Sequence, residues 1–98
     1  GHLYVVSNFE YPEMGGQTIQ FIEKERADPA IPELITVNDG TTNEEVISVL
    51  IDRIQHLNAK FPCRENAIAI TKLEEALMWL EKRTSDRKKR GVEGKHVP

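Results

Sequence analysis

The 98-residue chain holds one cysteine, Cys63. An internal disulfide is therefore excluded, which fits a reducing compartment. No apolar run approaches the roughly 20 residues a membrane-spanning helix requires. No signal peptide is visible, and Gly1-His2 reads as a cleavage scar and is set aside. The three histidines, His2, His56 and His96, share no metal-ligand spacing. Met14-Gly15-Gly16 lacks the lysine and the spacing of a phosphate loop. His56 and Cys63 lack the third, orienting group that an activated nucleophile needs. Glu44 and Glu45 read as helix-start residues, and Glu74 and Glu75 as a solvated face. These gaps point away from enzyme activity, a metal and a cofactor. There are no internal repeats and no low-complexity segment.

Hydrophobic residues make up 39% of the chain and charged residues 30%, the balance of an ordinary soluble domain. So short a chain fits one domain, residues 1–98, with a thin core that association between copies would support. The net charge of −3 hides a gradient. From Lys82 onward seven basic residues face two acidic ones, so that segment carries +5 and the remainder −8. A basic end on an acidic body suits a locally bound anion. The run Lys88-Lys89-Arg90 equally suits a helix end whose dipole favours cations.

The pattern predicts an α+β protein, with a strand-rich part over 3–37 and a helical hairpin over 38–94. Leu3 to Phe9 is rich in β-formers, and Tyr11-Pro12 with Met14-Gly15-Gly16 supplies turn chemistry. Gln17 to Glu25 alternates, with Ile19 and Phe21 on one face. Pro29 and Pro32 predict an irregular link, and Leu34 to Val37 a third short strand. Together these predict a small antiparallel sheet, which needs another surface to be stable.

Thr42-Asn43-Glu44-Glu45 fits a capping box opening a first helix over about 43–58. Its apolar positions are Ile47, Leu50, Ile51, Ile54 and Leu57. Pro62 breaks the pattern, and a second helix follows over about 64–90, closed by Gly91. The short link predicts antiparallel packing. Ile70, Leu73, Leu77 and Leu80 form the seam of the second helix. Arg83 flanks the end of that seam and Arg87 continues it. Two arginines one turn apart can hold an anion beside an apolar wall. Thr41 and Thr42 should lie opposite 80–83, bringing helix-start amides near the guanidiniums. Thr42 serving solely as a cap is the simpler reading. Asn66 can read a base or ribose edge, or can be a plain first-turn asparagine. Asn66 and Arg83 stand about 25 Å apart along a helix, so one copy cannot close both on one nucleotide. Ile68, Met78 and Trp79 lie off the seam and call for a second covering surface.

The stretches FPCREN, AITKLEEALMWLEKRT and DR-x-x-RGVEG carry a resemblance. Over Asn38 to Gly94 the chain is similar to the helical-hairpin domain shared by phage Thoeris anti-defence sponges and anti-CBASS sponges. The strand-rich start is nearer to the Thoeris type. The resemblance implies a non-enzymatic protein in the cytoplasm of an infected bacterium. It would sequester cyclic nucleotide immune signals, such as glycocyclic ADP-ribose, and some members also hold cyclic di- or trinucleotides. It implies dimers and hexamers. By position, the ligand arginines would be Arg83 and Arg87 and the polar ligand residue Asn66. His56 or Phe61 would stack on the base, and Thr41 and Thr42 would line a second pocket. The alternative of a different class is a small phage nucleic-acid-binding protein using the basic helix end.

Overall fold

The computed structural model describes residues 1–89. The expected positions at Arg90, Gly91, Gly94, Lys95 and His96 lie outside them. The elements run β1 (Leu3–Ser7), β2 (Gly16–Gln20), β3 (Glu23–Arg26), β4 (Leu34–Asn38), α1 (Asn43–Lys60) and α2 (Arg64–Lys89). The chain divides into two compact units, with the boundary between Thr42 and Asn43. The α+β class stands, but the strands form two two-stranded antiparallel sheets, β1–β2 and β3–β4, in place of one.

In the strand unit, Tyr4 pairs with Ile19 and Val6 with Gln17 across β1–β2. Tyr4 also meets Phe21 edge to face at 5.7 Å. β1 ends at Ser7, short of the expected Phe9, which is 95% exposed. Gly15 makes the return at φ +96°, a region that favours glycine.

The expected strand over 17–25 divides because its backbone changes partners midway. Phe21 donates its N–H to the carbonyl of His2 at 2.7 Å, one residue before β1 begins. One residue later, Ile22 donates to the carbonyl of Thr41 at 2.9 Å. Thr41 in turn donates to the carbonyl of Gln20 at 2.8 Å, making an isolated parallel bridge with Phe21. Gly40 permits that approach, since any side chain there would collide with the Gln20 carbonyl. β3 then pairs with β4, and the register slips between Glu23 and Lys24. The Pro-containing link is irregular, as expected, and is held by Asp28, whose carboxylate accepts from the Ala30 N–H at 2.9 Å.

In the helical unit, α1 and α2 pack on each other. Ile51 is the one buried hydrophobic residue among those described. Around it lie half-buried Ile47 and Ile54 from α1 and Ile70, Leu73, Leu77 and Leu80 from α2. Leu50 and Leu57, expected in the seam, remain 44% and 40% exposed. Half-buried Asn58 stands one turn beyond Ile54 instead, and its side-chain oxygen accepts from the Cys63 N–H at 2.9 Å. That bond ties the three-residue link to α1. α1 therefore runs two residues past its expected end and stops just before Phe61-Pro62, where proline forbids continuation. α2 is one uninterrupted helix of 26 residues, about 39 Å long. No helix among the described residues is long and apolar enough to cross a membrane.

Candidate functional site

The last three turns of α2 present two different surfaces. Toward the start of α1 lies a depression of about 360 Å³ lined by Glu44, Glu81, Thr84, Ser85 and Lys88. Its two carboxylates offset its ammonium, so its charge does not select strongly for an anion. Arg83 does not line it. On the other side of the helix, Trp79, Lys82, Arg83 and Asp86 line a second depression of about 240 Å³.

Within this second depression, Lys82 Nζ lies 2.9 Å from Asp86 Oδ2, an i,i+4 pair between side chains about half exposed. Arg83 is exposed and has no ion pair among the described residues. Its guanidinium is therefore available to an oxyanion, which it can meet with two parallel N–H donors. Arg87 follows one turn on and is half-buried, in line with a position that continues the seam. The pair thus offers one exposed arginine and one half-buried arginine.

The other expected site residues stand elsewhere. Asn66 is half-buried in the first turn of α2, and His56 is exposed near the end of α1. Phe61 is 82% exposed in the link between the helices. These three gather at the connected end of the hairpin, whereas Arg83 and Arg87 lie at its open end. The unbroken helix keeps Asn66 and Arg83 about 25 Å apart in one chain. Thr41 and Thr42 belong to the strand unit. Both the N–H and the carbonyl of Thr41 are engaged in the bridge described above, so its side chain alone is left for another role. Thr42 directly precedes α1.

Cys63 is exposed, and no cluster of three or more His, Cys, Asp or Glu able to hold a metal occurs among the described residues. Reading by composition missed the grouping of Trp79 and Lys82 with Arg83. The signal was present: Trp79, Arg83 and Arg87 recur every four residues, which places them along one ridge of a helix.

Comparison with known proteins adds a lineage to this geometry. Residues 19–85 match the hairpin domain of the Acb2/Tad1 proteins. That span takes in the end of β2, the β3–β4 sheet and most of the helical hairpin. It includes Arg83 and stops two residues before Arg87. A curated protein of Bacillus phage SBSphiJ7, named Thoeris anti-defense 1, is 61% identical over 59 residues. The aligned part is 59% of this chain and 42% of that relative, so the chain spans less than half of the relative's length.

Proposed function

The chain belongs to the Acb2/Tad1 hairpin-domain family, and on that footing we propose that it is a phage anti-defence protein that sequesters a cyclic nucleotide immune signal. The ligand class is a cyclic ADP-ribose isomer, such as glycocyclic ADP-ribose, with CBASS cyclic oligonucleotides as further candidates. The observation that carries the reading is the pair Arg83 and Arg87, one turn apart, with Arg83 exposed and without an ion pair among the described residues. A pyrophosphate is the ligand group that two such guanidiniums fit best.

Asn66, with His56 or Phe61, supplies the nucleoside end of the site. Because these residues lie a helix length from the arginines, the complete site forms between two copies. Antiparallel α2 helices would set Asn66 of one beside Arg83 and Arg87 of the other. A dimer is the minimum assembly, and a hexamer can be built from such dimers. Thr41 and Thr42 are assigned to a second pocket. The protein acts in the cytoplasm of the infected cell. It acts by holding its ligand and not by turning it over, since arginines and an asparagine activate no water near neutral pH. Tight ground-state binding alone accelerates nothing.

The test is to load the full chain with glycocyclic ADP-ribose, incubate for hours, heat-denature it and analyse the supernatant by mass spectrometry. The input mass should return, competent to activate a Thoeris effector. A cleaved product that grows with protein concentration would refute sequestration. Raising the salt separates the reading from nucleic-acid binding: duplex affinity falls steeply with salt, and an enclosed small ligand is far less affected. Light scattering should give at least a dimer at micromolar concentration. A monomer that binds at full stoichiometry would end the shared-site arrangement.

A further inference from the structure

We propose that Trp79 is a base-stacking residue of the ligand site, placed on the same ridge of α2 as the two arginines. The inference rests on the cyclic-nucleotide reading and names a residue that sets which part of the ligand is held where. Trp79 is 63% exposed, although tryptophan carries the largest apolar surface of any side chain. The α1–α2 seam does not use it. It lines the 240 Å³ depression together with Arg83, and its rim is otherwise made of the Lys82–Asp86 pair.

A rim of two cations and a carboxylate suits a small polar ligand with one flat face better than it suits an apolar partner surface. An apolar protein surface docked there would desolvate Arg83 and leave it without a partner. Trp79, Arg83 and Arg87 follow one another at four-residue steps, each about 6 Å along the axis. A nucleotide has matching order: a flat base, a ribose, then phosphates. The indole takes one face of the base and the two arginines the phosphates, while Asn66 with His56 or Phe61 of the second copy meets the same base from the other side. Stacking reads no hydrogen-bond pattern and tolerates different bases, since every base has a π-face. The ridge therefore accepts more than one purine-containing signal. Ile68 and Met78, each about half exposed, remain available to a second copy.

The chain contains one tryptophan, so its fluorescence reports this position alone. Titrating the full chain with glycocyclic ADP-ribose should quench that fluorescence with the same midpoint found by calorimetry. Trp79→Phe, which keeps a ring, should bind within about threefold of wild type. Trp79→Leu, which keeps apolar bulk, should bind about tenfold more weakly. Inorganic pyrophosphate, which reaches the arginines alone, should compete equally well against both variants and wild type. Unquenched fluorescence at saturation, or wild-type affinity in Trp79→Leu, overturns the stacking role and leaves sequestration standing. So does a loss of pyrophosphate competition, or a smaller oligomer, in Trp79→Leu, either of which makes the residue structural. Should Trp79→Leu fail to fold, the wild-type quenching and the Trp79→Phe affinity decide the matter. Absence of any binding by the wild-type chain refutes the functional reading itself, and this inference with it.

Discussion

The two long faces of α2 differ in kind. The inner face, Ile70, Leu73, Leu77 and Leu80, is half-buried against α1 and ties the second helix to the first. On the outer ridge, exposed Trp79 and Arg83 take little part in that packing and line a depression, while Arg87 is half-buried at the edge of the seam. One helix therefore carries an apolar packing face on one side and exposed aromatic and charged side chains on another. Stability and affinity can be altered separately at Trp79 and Arg83, which stand roughly 100–140° around the helix from the centre of the seam.

The comparison breaks most visibly if both arginines are removed. Arg83→Ala with Arg87→Ala should weaken glycocyclic ADP-ribose binding by a hundredfold or more, at about 1.5–3 kcal/mol for each charge-assisted contact. Helical circular dichroism should stay at the wild-type level. Wild-type affinity by calorimetry would move the site off this helix end.

The inner face should show the reverse. Leu77→Ala removes a half-buried side chain, so its cost falls below the 2–5 kcal/mol of a fully buried leucine, at about 1–2 kcal/mol. Urea unfolding should read that loss. Affinity measured on the folded protein should change less than twofold.

Arg87 sharpens the boundary between the faces, since it belongs to the ridge by spacing and to the seam by burial. Arg87→Ala should cost roughly 0.5–1 kcal/mol of stability through lost packing of its stem. Exposed Arg83→Ala should stay within about 0.5 kcal/mol of wild type. Equal unfolding midpoints for the two variants would deny the distinction. The smallest effect belongs to Lys82→Ala, which breaks the exposed pair with Asp86. It should cost about 0.3–0.5 kcal/mol, shrinking as salt is raised.

Much of this was legible in the chain itself, for physical reasons that vary by region. Both helices follow from periodic apolar residues and a proline, signals that act within a few turns. α2 accordingly begins at its expected residue, and the seam residues of α2 are those the spacing predicts. Leu50 and Leu57 were misplaced because Ile47, Ile51, Ile54 and Asn58 describe an equally regular stripe. The bond from Asn58 to the link after α1 belongs to that second stripe. The division of the 17–25 strand could not be read locally, since its cause is the backbone of Thr41, some twenty residues away. The open end of the hairpin was legible as carrying two arginines one turn apart. Its second depression was not, because hydropathy classes Trp79 with Ile68 and Met78, whereas geometry groups it with Arg83.

The bridge from Phe21 to Thr41 also governs the order of events during synthesis. The β1–β2 ladder joins close neighbours and can zip soon after it leaves the ribosome. The bonds at Gln20 and Ile22 must wait until Thr41 has been translated, and they close a loop of about twenty residues. At 5–20 residues per second that interval is one to several seconds. It is very long beside the microseconds a hairpin takes to form. During it, the open backbone at Gln20 and Ile22 is an unpaired edge, and edges of that kind recruit other strands. The arrival of Thr41, two residues before α1 begins, ends that exposure as the helical hairpin starts to emerge.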